Sequence, residues 1–179
     1  MSLPIADFLP DGEALQRLEA AARASGSGLG SPSVVGRWRF RQVWPRRGGA
    51  PQAAAAALLR GLEASLEIGA AAEGDLLPLE NRVALGALEL RFLGQGNLAG
   101  RRPLLRFWFA RWQLRLAGRT LLEGSLRRPE ERRLPFFALL GRGRTVAGED
   151  WLAARGRGGG LALWCLDSLP APASTRREP

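Results

Sequence analysis

The feature that most constrains the fold is a series of short alternating segments within residues 87–126. In the first of them, ALELRFL, apolar and charged residues alternate: Leu88, Leu90 and Phe92 against Glu89 and Arg91. Such alternation indicates a β-strand with one apolar face and one solvent-facing side. Similar segments follow at residues 103–109 and 120–126, after glycine-containing stretches such as residues 94–97 that predict turns. Connections this short cannot form parallel crossovers, so we expect an antiparallel meander.

The apolar positions change phase within this meander. Phe107 and Phe109 fit one alternation, whereas Trp112 fits the opposite one, and the change falls at Ala110-Arg111. A one-residue slip would turn every later side chain to the other face of the sheet. The pattern therefore predicts either a β-bulge or a very tight turn at this point.

Two helices and further strands are predicted on either side of the meander. Helical periodicity indicates a helix over residues 11–24, with Asp11 as the N-cap, and an alanine-rich helix over residues 52–64. Alternation or short apolar runs predict strands over residues 34–44, 65–71, 134–140, 149–155 and 160–166, with loops over residues 74–79 and 141–148. Together these elements predict a mostly β domain, a single antiparallel barrel of about eight strands with an N-terminal helix and one short inserted helix.

The boundaries of that domain follow from composition. The predicted domain spans residues 11–166, residues 1–10 form an N-terminal tail, and residues 167–179 form a proline-rich polar tail expected to be disordered. No apolar run is long enough to span a bilayer, and the N-terminus lacks the pattern of a signal peptide, so a cytoplasmic location is expected.

The strong positive charge has two explanations. The net charge is +9, and every basic residue is an arginine. The arginines are spread along the chain, and alanine, glycine and proline are also abundant. This composition is typical of a GC-rich genome and favours solvated surface charge over nucleic-acid binding, which stays the weaker alternative.

The chemistry for catalysis is largely missing. The chain has no histidine and a single cysteine, Cys165, which excludes a Ser-His-Asp arrangement, an internal disulfide and the usual zinc clusters. Cys165 alternates with leucines and is expected to be a small buried hydrophobe. The glycine-rich residues 155–160 lack the GK[ST] of a phosphate loop and predict a β-turn. No catalytic residue, metal ligand or cofactor is predicted.

Aromatic side chains are the best candidates for a binding site. In the strand at residues 34–44, alternation places Trp38, Phe40, Gln42 and Trp44 on one face and three arginines on the other. The same logic gives a set of rings expected to point inward, either as core or as the lining of a ligand cavity: Trp38, Phe40, Trp44, Phe92, Phe107, Phe109, Trp112 and Phe136.

The order of these features is similar to a known family. A leading helix is followed by a G-x-W-x-hydrophobic strand (GRWRF, residues 36–40), a short helix and a meander. A strand with Phe136-Phe137 and a closing hairpin (DWLAARGRGGGL, residues 150–161) complete the chain. Over roughly residues 10–166, this order resembles the plastid lipid-associated protein (fibrillin) family in its cyanobacterial form.

The resemblance implies a lipocalin-like β-barrel that holds a small hydrophobic molecule, such as a carotenoid, quinone or lipid, without catalysis. It also implies peripheral association with thylakoid membranes, where Arg155 and Arg157 would meet anionic headgroups at the rim. A related barrel in bilin lyases keeps an enzymatic alternative open, in which Glu89 or Glu123 points inward and arginines bind the propionates.

Overall fold

The computed structural model describes residues 5–46, 50–71 and 74–167, so most of the predicted C-terminal tail lies outside the described residues. Within these ranges there are two α-helices, α1 (Gly12–Ser25) and α2 (Ala53–Gly61), which confirms both predicted helices. The strands are β1 (Ile5–Ala6), β2 (Gly36–Trp44), β3 (Ser65–Ile68), β4 (Leu76–Leu85), β5 (Leu88–Ala99), β6 (Leu104–Leu116), β7 (Arg119–Ser125), β8 (Phe136–Thr145), β9 (Asp150–Gly156) and β10 (Leu161–Leu166).

The sheet closes in a ring, and the prediction of a mostly β, antiparallel domain is confirmed. Its strands follow the order β8-β9-β10-β2-β3-β4-β5-β6, and β6 pairs back onto β8. Neighbouring strands in this ring are antiparallel, whereas β1 adds a short parallel pairing to β8. Strand β7 pairs only with β6 among the described residues and lies outside the ring.

The predicted turn at residues 94–97 is wrong, because β5 continues through it. A Cβ atom at Gly94 would lie 1.9 Å from the carbonyl oxygen of Trp108, and one at Gly96 would lie 2.8 Å from that of Arg106. These glycines therefore allow β5 and β6 to approach closely and are not there to reverse the chain. In the pairing of β5 with β6, Leu93 lies opposite Arg111 and Gly94 lies opposite Phe109.

That pairing leaves Ala110 as an extra residue of β6. Of the two alternatives predicted from the sequence, a β-bulge or a very tight turn, the β-bulge is confirmed. β6 is consequently one continuous strand of 13 residues.

Two other predicted loops are also strand. Residues 141–145 continue β8, and residues 76–79 belong to β4. A Cβ atom at Gly141 would lie 3.4 Å from the side chain of Leu18, so glycine at this position lets α1 pack close to the sheet. Glycine in a strand can mark close packing as well as a turn, and the sequence pattern does not distinguish the two.

Helix α1 begins and ends as its sequence suggests. The Asp11 side chain accepts a hydrogen bond from the backbone N–H of Ala14 at 2.8 Å, which satisfies one of the free donors of the first turn. Gly26 ends the helix with φ of +84°, a conformation that glycine adopts at little cost.

Apolar side chains form two separate cores, one on each side of the sheet. The first fills the interior of the ring and includes Val34, Trp38, Leu77, Leu105, Leu139 and Leu152. The second lies between α1 and the outer side of the sheet and includes Leu15, Trp44, Leu140, Trp151, Leu161 and Leu163. Consecutive residues Leu139 and Leu140 belong to different cores, because successive side chains of a strand point to opposite faces of the sheet.

Beyond the ring, β4 to β7 continue as a four-stranded extension that ends in turns at residues 86–87 and 117–118. Large apolar side chains are exposed on this extension: Leu85, Leu88, Leu116, Leu121 and Leu122.

Candidate ligand pocket

An apolar cavity of about 190 Å³ lies inside the ring, and we call it the interior pocket. Its position beside Leu59 of α2 places it at the end of the ring toward the extension. Ser65 and Asn81 contribute polar groups to an otherwise apolar lining, which comprises Phe40, Leu59, Ala64, Leu66, Val83, Phe107, Phe109, Phe137 and Trp164. Apolar walls with a few polar groups are typical of small-molecule sites.

Aromatic rings form a continuous series of contacts across this pocket. Trp164 on β10 packs edge-on against Phe137 with ring centroids 5.2 Å apart, and Phe137 stacks on Phe107 at 5.2 Å. Phe107 contacts Phe109 at 5.6 Å, and Phe109 contacts Phe92 at 5.7 Å. The series runs from the ring interior toward the extension and gives the pocket a wall of large, flat surfaces.

The other end of the ring is closed. The Trp38 side chain is fully buried, and its indole N–H donates a hydrogen bond to the carbonyl of Val34 at 2.7 Å. The Arg142 guanidinium lies 5.4 Å from the Trp38 ring centroid and donates to the carbonyl of Ser33 at 2.8 Å. A ligand would therefore enter the interior pocket from the end near the extension.

Three of the eight predicted binding rings line the pocket: Phe40, Phe107 and Phe109. Phe92 reaches it through Phe109, and Trp38 belongs to the core at the closed end. Trp112 lies on the extension opposite Gly124, where a Cβ atom would come within 2.6 Å of the indole nitrogen. Trp112 is not part of the pocket lining.

The predicted common face of Trp38, Phe40, Gln42 and Trp44 is wrong. Phe40 pairs with Trp164 and Gln42 pairs with Leu163, which leaves Arg41 as a bulged residue. The bulge reverses the faces beyond it, so Trp44 packs outside the ring against Leu15 of α1. Trp44 therefore lies in the outer core and not in the interior pocket.

The prediction that Phe136 of β8 points inward is also wrong, and its neighbour Phe137 takes the inner position. Phe137 packs in the ring interior, whereas Phe136 faces the outer side of the sheet, near Arg155 and Arg157. Two aromatic residues of the pocket, Phe137 and Trp164, were thus not predicted from the sequence, nor were its smaller lining residues. In both strands apolar residues occupy consecutive positions, so alternation could not show which of two neighbours points inward.

Arg155 and Arg157 lie on either side of Gly156, which pairs with the pocket residue Phe137. Both guanidinium groups face outward and are held in place. Arg155 donates two hydrogen bonds to Glu19 of α1, the first at 2.6 Å from Nε to Oε1, and Arg157 donates to the carbonyls of Leu134 and Arg132 at 3.0 and 3.1 Å.

The acidic residues required by the bilin lyase alternative do not face the interior. Glu89 lies on the face opposite Leu88 and Leu90 and accepts hydrogen bonds from Arg82 at 2.7 Å and Arg91 at 2.9 Å. The Arg82 hydrogen bond outweighs burial and, with Arg91, lowers the pKa of Glu89 to about 2. Glu123 accepts from Gln113 at 3.0 Å, on the same outer face. This geometry does not favour acid–base chemistry on a ligand in the pocket.

The arginine row of β2 is partly neutralised. Arg37 pairs with Glu67 at 3.0 Å, and Arg39 pairs with Asp167 at 2.6 Å. Such pairs weaken the case for a polyanion stripe along this strand.

Within residues 5–46, 50–71 and 74–167, no group of three cysteine or acidic side chains is placed to hold a metal ion. In the same ranges, neither helix has the length and apolar character needed to cross a bilayer.

Comparison of the sequence with protein-family models and with curated proteins finds no match. The similarity to the fibrillin family therefore stays a prediction.

Proposed function

We propose that this protein binds a small hydrophobic molecule without catalysis, and that its ring is a lipocalin-like β-barrel with the ligand in the interior pocket. The observation that carries the proposal is the aromatic lining, in which rings from β2, β6, β8 and β10 surround one apolar cavity. Removing apolar ligand surface from water there contributes roughly 25 cal/mol per Å².

The size of the pocket limits what it holds. At about 190 Å³ it is smaller than a drug-sized binding site, which typically measures about 300–1,000 Å³. The pocket therefore takes one end of a longer molecule, such as the ring of a carotenoid or quinone or the end of an acyl chain. The remainder extends past Phe92 toward the leucines of the extension.

Peripheral association with a photosynthetic membrane is the second part of the proposal. The leucines of the extension support it: Leu85 is 64% exposed and Leu122 is 59% exposed. Arginines stand on one of these strands, β6: Arg111 and Arg115. Exposed leucines beside basic residues are suited to the surface of an anionic bilayer, where each basic side chain contributes about 1 kcal/mol.

A fluorescence titration tests ligand binding. Purified protein is extracted with organic solvent, the extract is analysed by mass spectrometry, and the emptied protein is titrated with a carotenoid or a quinone while tryptophan emission is followed. We expect quenching, because Trp164 lies in the pocket wall.

A matched pair of variants makes this test specific. Ala64→Leu fills the pocket, and we expect it to weaken binding at least about tenfold, since the ligand loses its space. Ala20→Leu makes the same chemical change at an exposed position of α1, outside the ring, and should leave binding unchanged. Absence of a co-purified molecule together with absence of quenching, or equal effects of the two variants, would contradict the proposal.

A further inference from the structure

A second cavity, of about 330 Å³, lies on the outer side of the sheet beside the β9–β10 hairpin. Five arginines from four parts of the chain surround it, and we call it the arginine pocket: Arg23, Arg46, Arg102, Arg155 and Arg157. Guanidinium groups repel one another when brought together, so a cluster of this kind needs compensating negative charge.

Glu19 is the acidic residue that meets these arginines. Its buried carboxylate accepts hydrogen bonds from Arg155 and, at 2.6 Å, from Arg23, while Arg102 lies 3.9 Å away. Burial alone would raise the pKa of Glu19, but these hydrogen bonds outweigh it and lower the pKa below its ordinary value. The carboxylate of Glu19 thus supplies negative charge beside the pocket and engages chiefly two of the five guanidinium groups, those of Arg23 and Arg155.

The other arginines have little or no compensating charge, since Arg102 meets only Glu19, at 3.9 Å. Among the described residues, neither Arg46 nor Arg157 forms an ion pair, and Arg157 is held by two backbone carbonyls. Arg102 keeps its Nε–H buried without a hydrogen-bond partner. A buried unpaired donor costs free energy, and it is satisfied when a suitable acceptor binds.

The hairpin makes room for this arrangement. Gly159 adopts φ of +86°, and a Cβ atom there would lie 2.7 Å from Cδ of Arg46. Its carbonyl also accepts a hydrogen bond from Arg155. On the sheet side, Phe136 and Ala138 supply an apolar wall. The glycine-rich turn that the sequence presented only as a β-turn therefore shapes one side of the pocket.

We infer that the arginine pocket binds a phosphate ester, with the phosphate on Arg46, Arg102 and Arg157 and the organic part against Phe136. Arginine forms paired hydrogen bonds with phosphate oxygens, and a phosphate dianion supplies the charge that the cluster lacks. The cavity is large enough for more than an inorganic ion. Because the site lies outside the ring, the inference is independent of a ligand in the interior pocket.

Binding is measured by calorimetry and thermal unfolding with glycerol 3-phosphate and with inorganic phosphate, against sodium chloride at equal ionic strength. We expect saturable binding and a rise in Tm with the phosphate compounds only. Vesicles of phosphatidylcholine with and without phosphatidic acid form a second arm. Binding to phosphatidic acid vesicles that Arg46→Ala weakens, without binding of glycerol 3-phosphate, assigns a lipid headgroup, whereas binding of glycerol 3-phosphate in solution assigns a free ester.

Arg46→Ala is the main variant, because it removes a guanidinium without breaking an observed ion pair. We expect it to weaken glycerol 3-phosphate binding about tenfold, the value of one charge-assisted hydrogen bond. Arg119→Ala removes the same charge on the extension and should leave the affinity unchanged within about twofold. Quenching by a hydrophobic ligand of the interior pocket should be the same in both variants.

Two results would overturn the inference. One is a complete lack of saturable phosphate binding by the unaltered protein. The other is an equal loss of affinity in Arg46→Ala and Arg119→Ala, which would show attraction to the overall charge and not to a site.

Discussion

The ring of Phe137 stacks on the ring of Phe107, with centroids 5.2 Å apart and planes inclined by 23°. This contact links β8 to β6 across the interior of the sheet and forms part of the pocket wall. Its neighbour in the chain, Phe136, lies on the opposite side of the same strand. The two phenylalanines therefore allow a direct comparison between inner and outer positions.

We expect Phe137→Ala to destabilise the protein far more than Phe136→Ala. Truncating Phe137 removes contacts with Phe107 and Trp164 and leaves a cavity, at a cost of about 3 kcal/mol in the free energy of unfolding. Phe136 forms no part of either core, and its truncation should cost about 1 kcal/mol or less. Urea unfolding measures both. Equal values would show that the assigned faces of β8 are wrong.

Trp44 should matter for stability and not for the interior pocket. Trp44→Phe leaves space beneath α1, so we expect a loss of about 1–2 kcal/mol in the free energy of unfolding. Because the Arg41 bulge places Trp44 outside the ring, affinity for a hydrophobic ligand should change less than about twofold. Trp164→Phe is the comparison, since it alters the pocket wall itself. A large loss of ligand affinity in Trp44→Phe alone would contradict the placement.

The extension provides a test of membrane association. Leu85→Gln with Leu122→Gln should reduce co-sedimentation with phosphatidylglycerol vesicles about tenfold, because leucine contributes by leaving water. Leu76→Gln is the control, since Leu76 is also exposed but lies at the opposite end of β4. Sedimentation velocity decides whether the same leucines instead join two copies of the chain. A dimer that dissociates in the double variant would count against the membrane role.

Stability should fall in acid through the Glu89 ion pairs. The pKa of Glu89 is lowered from 4.5 to about 2 in the folded protein, first by its hydrogen bond with Arg82. A lowered pKa means that the stabilisation is fully present above pH 4.5 and is lost as the pH falls toward 2. Partial solvent contact reduces the full effect, so we expect a loss of about 2 kcal/mol.

Thermal unfolding between pH 7 and pH 2.5 measures this loss. Glu89→Gln should be less stable at pH 7 and should show a shallower decline in acid. Glu13→Gln is the matched control, because Glu13 is exposed on α1 in a long ion pair of 3.7 Å. A Glu89→Gln profile parallel to that of the unaltered protein would refute the assignment.

Cys165 should be unreactive until the protein unfolds. Burial, together with the neighbouring Glu149, raises the pKa of its thiol to about 12. Little thiolate is present at pH 8, and we expect a disulfide reagent to label the folded protein at least about 100-fold more slowly than the urea-denatured chain. Labelling is followed by absorbance. Rapid complete labelling of the folded protein would show that the thiol is accessible.

Much of the fold follows from local patterns, whereas the choice of inner and outer faces does not. Alternation predicts the meander and Asp11 marks the start of α1, because each of these signals lies within a few consecutive residues. The faces of Trp44 depend on the bulge at Arg41, which only the pairing with β10 reveals. The local sign of the bulge is small: the polar residues Arg41 and Gln42 are consecutive, and one polar residue in an apolar row does not by itself show a change of face.

The arginine pocket could not be predicted from the sequence for a different reason. Its five arginines come from α1, from the segments after β2 and before β6, and from the β9–β10 hairpin. They are far apart in the chain and each resembles an ordinary surface residue. The sequence gives no sign that the folded chain brings them together at one cavity, where three of them lie within 4 Å of Glu19.

The pairing of β6 with β8 has a consequence for how the protein moves. Only three residue pairs join these strands, whereas twelve join β6 to β5. This seam is the shortest ladder in the closed sheet, and transient breathing should begin there, with the amide protons of Leu105 and Phe137 exchanging with deuterium ahead of those on β5. Separation of β6 from β8 would give the ligand that we propose for the interior pocket a second route of entry, between these two strands.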